Sequence, residues 1–221
     1  KWKGSIKMRI GLIAANGILG KEILREAYYR KHDVTAIVLN KGLVKYDVPI
    51  IEADLFHLTK DQLEQFDVII NAFAPTDNNH VLHLDAGKHL ISLLEGTNTR
   101  LFIVGHSGCL YIDEQQTIRL HESEEFPEHL ATAAKYHLEL IEQLKENDME
   151  WTFLAPSALF DVDGPRTGHY ITGDENITFN SQYNSYISYS DFAVATIDEI
   201  ENSNFVNAFY TVASENTTSS S

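Results

Sequence analysis

Residues 8–39 constrain this chain more than any other stretch. Met8–Ala14 (MRIGLIA) is a short, nearly continuous apolar run, as a central parallel strand buried on both faces should be. A glycine-containing turn follows. Gly20, Ile23, Leu24, Ala27 and Tyr28 then recur at three- and four-residue spacing, which predicts an amphipathic helix. Asp33 leads into a second β-rich run, Val34–Leu39 (VTAIVL). Strand, helix and strand within about thirty residues match one right-handed crossover between parallel neighbours. Such strands must be covered on both sides, so the opening unit implies a parallel sheet with helices on its faces.

The alternation continues. Strands are predicted at Ile50–Ala53, Val68–Ala72, Leu101–Val104 and Trp151–Ala155. Helices are predicted at Thr59–Gln65, His80–Glu95 and Pro127–Asn147, the first opened by the capping-box spacing Thr59-Lys-Asp-Gln62. Six strands alternating with helices point to one doubly wound, mainly parallel α/β sheet of the Rossmann type. After Pro156 the pattern changes, and Gly164, Pro165, Gly168 and Gly173 mark loops. Ile177–Phe179 and Tyr186–Tyr189 predict a small hairpin, Asp191–Glu201 a last helix capped by Ser190, and Phe205–Val212 a last strand. That stretch is too short for a core of its own. Residues 157–190 are therefore read as a substrate-side extension of a single domain spanning 8–213. Lys1–Lys7 (KWKGSIK) reads as a non-native extension with Met8 as the native start, and 214–221 as a disordered polar tail.

Charge narrows the ligands. Seventeen Lys and Arg stand against 32 Asp and Glu, a net charge of −15, and so acidic a field repels nucleic acid and anionic membranes. A phosphate ligand must then be held by local backbone dipoles, which points to a helix N-terminus. Cys109 is the only cysteine; it excludes an intrachain disulfide and a thiolate-clustered zinc site, and it fits a reducing compartment. With no apolar run of membrane-spanning length, the expectation is a cytoplasmic protein, monomer or homodimer.

The turn between the first strand and helix carries the chemistry. It reads Gly11-Leu-Ile-Ala14-Ala-Asn16-Gly17-Ile18-Leu19-Gly20. A pyrophosphate needs a tight turn, close backbone approach and free N–H groups at a helix start. Gly17 can give the close approach and Gly20 the packing of helix on strand. Ala14 stands where the first glycine is expected and serves there if its φ stays negative. A flavodoxin-like chain could use these glycines for the turn alone. The reading is a pyridine dinucleotide bound at this loop.

The blocks RIGLIAANGILGKEIL, HDVTAIVLN, DVIINAFA, RLFIVGHSG, WTFLAPSALF, RTGHYI and ISYSDFAVATIDEIEN run along almost the whole chain. In order and spacing they resemble the atypical short-chain dehydrogenase/reductase family, the NAD(P)H-binding proteins that include NADH-flavin reductases and are similar to biliverdin reductase B and the NmrA-like proteins. The resemblance implies a cofactor site formed by Ala14, Asn16, Gly17, Ile18 and Leu19, with Asp54 and Leu55 near the adenine and Asn71, Ala72, Phe73 and Ala74 along the cofactor. Ser107 matches the family's active-site serine, and Ala155-Pro156-Ser157-Ala158 the loop beneath the nicotinamide. Relatives that favour NADP place Arg after the second strand, where this chain has Leu39, Asn40 and Lys41. No acidic residue ends that strand to hold a ribose 2′-OH. The cofactor is NADP or NAD, with Lys41 as a possible point charge for a 2′-phosphate leaning the reading to NADP.

The family's Tyr-x-x-x-Lys pattern is broken. Lys135 fits its lysine, but the tyrosine position is Ala131, and Tyr136 points elsewhere on the helix. Alcohol dehydrogenase chemistry is thereby disfavoured. Hydride transfer to a flavin asks less, since the protein chiefly stacks two rings. The expected function is reduction of a flavin, FMN or riboflavin, or a similar planar small-molecule acceptor, the flavin being a substrate rather than a tightly bound cofactor. Ser107 is the candidate catalytic residue, with His106 a donor or a solvent-facing loop residue. His80, His83 and His89 lie along one helix, but His89 is turned away from the other two, so no metal is expected. Tyr183, Tyr186 and Tyr189 are read as half-buried strand faces rather than walls of an acceptor pocket. The alternatives are a non-catalytic NAD(P) sensor of the NmrA-like type and a scaffold that binds no cofactor.

Overall fold

The computed structural model describes residues 7–215. In chain order, β1 (Arg9–Ile13), α1 (Ile18–Tyr29), β2 (Asp33–Val38), β3 (Ile50–Glu52), α2 (Lys60–Leu63), β4 (Val68–Asn71), α3 (Val81–Leu94), β5 (Arg100–Val104), α4 (Glu128–Lys145) and β6 (Trp151–Pro156) build the alternating part. Then come β7 (Leu159–Asp161), β8 (Tyr170–Gly173), β9 (Tyr186–Ser188), α5 (Tyr189–Asn202) and β10 (Ala208–Ser214). Eight strands form one sheet in the order β3-β2-β1-β4-β5-β6-β10-β8, parallel except where β8 runs antiparallel to β10. This is the doubly wound arrangement expected, and the strand order reverses between β1 and β4. Ligands of such sheets bind at the carboxyl ends of the strands around that point.

Strand alternation feeds two cores. Ile13, Ile37, Ile69, Ile103 and Phe153 face one side with α3 and α4, while Leu12, Val38, Ile70, Phe102 and Leu154 face the other with α1 and α5. With both faces apolar, the central strands read as continuous hydrophobic runs rather than as alternating ones. The capping box is present: Gln62 Oε1 accepts the Thr59 N–H at 2.9 Å.

The extension departs from expectation. Residues 177–179 form no strand; β9 instead pairs in parallel with β7, Leu159 opposite Tyr186 and Asp161 opposite Ser188. Ile177 is held by its N–H to the Tyr111 carbonyl at 2.8 Å, a partner distant in sequence. The last helix begins earlier than expected, and Ser188 rather than Ser190 caps it, accepting the Asp191 N–H at 3.0 Å. The Ser190 hydroxyl is turned to Glu22 on α1, 2.9 Å away. Ser214 belongs to β10 and not to a tail; its buried hydroxyl donates to Asp191 at 2.8 Å. Glu215, also in the predicted tail, donates its N–H to the His169 carbonyl at 2.9 Å, and Lys7 pairs with Asp33 at 2.6 Å; residues 1–6 and 216–221 of the predicted extension and tail lie outside the described residues. Among the described residues no helix is long and apolar enough to cross a membrane.

Asp191 joins the extension to the domain. It is fully buried and also accepts the Thr167 and Gly168 N–H groups, each at 2.8 Å, and the Thr167 hydroxyl at 2.7 Å. Four donors on one carboxylate satisfy a charge that would otherwise be costly to bury.

Candidate functional site

The parallel strands deliver the predicted cofactor residues to one edge of the sheet. After β1 the chain turns through Ala14, whose N–H donates to the Ile37 carbonyl at 2.9 Å and whose carbonyl accepts the Gly17 N–H at 2.9 Å. Ala14 has φ +59°. The negative φ that would suit alanine is thus not adopted, because closing the turn requires the left-handed conformation that glycine takes without cost. Gly17 is the N-cap of α1 with ordinary extended geometry, and no side chain caps the helix. A Cβ there would meet only the Ala14 carbonyl, at 3.1 Å. The helix N-terminus, with Asn16, Ile18 and Leu19 around it, is therefore open to an anion, as a pyrophosphate requires.

After β2, Leu39 is 72% exposed. Asn40 accepts the Gly42 N–H at 3.0 Å, and Lys41 donates its N–H to Glu52. After β3, Asp54 caps a short turn by accepting the Phe56 N–H at 2.9 Å, and Leu55 is buried beneath it. At the end of β4, buried Asn71 accepts the Phe73 N–H at 3.2 Å. This shapes Ala72–Ala74 as the loop moves away, with Phe73 edge-on to Phe56. Pro156 ends β6 buried, and Ser157 donates to the Val212 carbonyl at 2.6 Å.

The loop after β5 carries Ser107 and His106. His106 Nδ1 accepts the Gly108 N–H at 3.0 Å, which places the proton of the neutral ring on Nε2. The Ser107 hydroxyl makes no hydrogen bond among the described residues. The loop is braced on several sides: His121 meets the Gly108 carbonyl at 3.0 Å, and Arg119 donates to the Cys109 carbonyl while lying 3.8 Å over the Tyr111 ring. Cys109 is buried, and burial pushes its thiol up, away from reactivity.

His106 belongs to a group of histidines. Its ring lies 5.7 Å from that of His137, which lies 4.3 Å from His83, and His83 stacks on His80 at 6.4 Å. Burial, with mutual repulsion among the rings, lowers His83 to about 2 and His106 to about 3. Burial likewise lowers His137 to about 4, although hydrogen bonding to backbone carbonyls opposes it. All three are neutral at pH 7, so they act as hydrogen-bonding groups and not as cations. Both ring nitrogens of His80 are buried without a partner among the described residues. His89 instead packs against Phe56.

Lys135 lies on α4. It is exposed, and α4 turns Ala133, Ala134, His137, Leu140, Ile141 and Leu144 inward. The apolar stripe fixes the rotation of the helix, so the lysine end of the Tyr-Lys pattern faces solvent. The inward polar residue of α4 is His137, which belongs to no motif in the sequence. A histidine in line with an apolar stripe was the available signal. Tyr183 also departs from expectation, being 88% exposed. Tyr186 and Tyr189 are half-buried, bonded to Asp161 at 2.9 Å and packed on Phe160 at 4.1 Å respectively.

Residues 14–202 match the family model described as NAD(P)H-binding. An uncharacterized protein of Bacillus subtilis (strain 168), YwnB, is 44% identical over 94% of this chain and 99% of its own length. The crystal structure of SP1627 from Streptococcus pneumoniae TIGR4, provisionally named an NADH-flavin reductase, superposes with a TM-score of 0.89. It is 40% identical over 94% of this chain and 99% of its own. ChuY, an anaerobillin reductase of Escherichia coli O157:H7, shares the fold at a TM-score of 0.70 with 17% identity, over 96% of this chain and 99% of its own. The match along most of the chain, on a doubly wound sheet with an open α1 N-terminus, makes this protein a member of the NAD(P)H-binding, atypical short-chain dehydrogenase/reductase family.

Proposed function

We propose that this protein is an NAD(P)H-dependent oxidoreductase that reduces a flavin or a similar planar acceptor. One observation carries the reading: beyond β5, the Ser107 hydroxyl, without a hydrogen-bond partner among the described residues, adjoins a neutral histidine whose tautomer is set by the Gly108 N–H. These are weak donors suited to orienting a ring, not a tyrosine and lysine built to protonate an alkoxide. The name of SP1627 supports the same acceptor class.

The chain's own residues divide the work. The N-terminus of α1, without a side-chain cap at Gly17, would hold the pyrophosphate through backbone N–H groups. When bound, the reduced nicotinamide supplies the hydride. Ser107 Oγ–H and His106 Nε2–H would hold the carboxamide or an acceptor carbonyl in register, on a loop braced by His121 and Arg119. Proximity then supplies most of the acceleration. The test is oxidation of NADH and NADPH with FMN, riboflavin or a quinone as acceptor. Turnover with at least one of them is expected. Saturable nucleotide binding without turnover on any would overturn the proposal in favour of a sensor.

A further inference from the structure

The strand pairing puts a carboxylate where the sequence shows none. In the β2–β3 register Val38 lies opposite Glu52, so Glu52 flanks the last residue of β2. The chain leaving β2 folds back onto that carboxylate: the Lys41 N–H donates to Glu52 Oε1 at 3.0 Å, and Lys41 Nζ stands 3.7 Å from Oε2. In a doubly wound dinucleotide fold the adenosine ribose lies at this strand end. A carboxylate there accepts from a 2′-OH, and a basic group there receives a 2′-phosphate.

None of the three residues that follow β2 presents an unpaired phosphate-binding group. Leu39 is apolar, the Asn40 side chain holds its own turn through Gly42, and Lys41 faces a charge of opposite sign. The Glu52 side chain is 43% exposed, and its two oxygens retain acceptor sites beyond those Lys41 uses. A 2′-phosphate brought to the same place would meet like charge in a protein of net charge −15. We infer that Glu52 is the specificity residue of the cofactor site and selects NADH over NADPH. This rests on the dinucleotide occupying the β1–α1 turn, and it reverses the preference that Lys41 alone suggested.

The experiment is a titration of NADH and NADPH without acceptor, on the wild-type chain and on Glu52→Gln. The wild type is expected to bind NADH at least tenfold more tightly. The glutamine variant, isosteric and on an exposed edge, should narrow that ratio at least threefold, mainly by gaining NADPH affinity. Equal or tighter NADPH binding by the wild type overturns the inference and directs attention to Lys21 and Lys45 beside the same loop. A ratio unmoved by Glu52→Gln overturns it too. The acceptor assay separates the two proposals. NADH preference without turnover leaves Glu52 standing and removes the reductase. Turnover with NADPH preferred removes Glu52 alone.

Discussion

The carbonyl oxygen of Ala14 stands 2.0 Å from the place that a Cβ on Gly20 would occupy. Helix α1 thus rests directly on the turn that precedes it. Gly20→Ala should push the helix off that turn, costing about 1–3 kcal/mol as overpacking and lowering Tm by several degrees. Ala14→Gly should relieve the left-handed alanine, worth about 1–2 kcal/mol, less about 0.4–1 kcal/mol for the freer unfolded chain. Thermal melts of the two variants should therefore move in opposite directions, or the second should not move.

Gly17 is less confined than Gly20, since a Cβ there presses on the Ala14 carbonyl alone and a shift of a few tenths of an ångström relieves it. Its backbone is extended and its nearest obstacle to a Cβ is 3.1 Å away, so Gly17→Val should fold with a stability change within about 1 kcal/mol. The branched side chain would fill the space above the α1 N-terminus. Nucleotide affinity is expected to fall at least a hundredfold in a binding titration, with Tm nearly unchanged in the absence of ligand.

Ser107→Ala removes a hydroxyl that holds no hydrogen-bond partner among the described residues. If Ser107 orients the reacting rings, kcat should fall about tenfold or more while the Kd for nucleotide shifts less than threefold. Steady-state kinetics alongside direct binding decide this. A loss confined to affinity would make Ser107 a contact for the cofactor only.

The buried histidines predict how stability depends on pH. His83, His106 and His137 titrate near 2, 3 and 4 in the folded chain, against about 6.5 when unfolded. Below about pH 6.5 the unfolded chain takes up protons that the folded one refuses, so stability falls as pH drops. The slope reaches at most about 1.4 kcal/mol per pH unit for each ring. Urea unfolding at pH 7, 6 and 5 should show the decline, and His137→Phe should flatten it. An unchanged slope in that variant would show that His137 is not among the rings that resist protonation.

Hydrophobic pattern along the chain was enough to place β1–β6, α1, α3 and α4, because each buries a face whose period is written locally. The same holds for the open turn at Gly17, where a strand run, a glycine and a helical pattern adjoin in sequence. The order of the motif blocks placed His106 and Ser107 directly after β5, where the structure has them. The left-handed Ala14 was not, since the residue type argued against the backbone that turn closure imposed.

What only the tertiary structure decided were the meetings of distant segments. The pairing of β9 with β7, the antiparallel edge β8, the bracing of the Ser107 loop by Arg119 and His121, and the four donors on Asp191 all join residues with no local period linking them. The rotation of α4 is set in the same way by its core-facing stripe, which leaves Lys135, the one matching residue of a broken Tyr-x-x-x-Lys pattern, exposed. At β2 the sequence ends in Leu39-Asn40-Lys41 and shows no acid, yet register with a neighbouring strand brings Glu52 there. Local sequence determined which elements form and where the dinucleotide turn lies. Packing and strand register, which depend on the whole sheet, decided which charges and rings surround it.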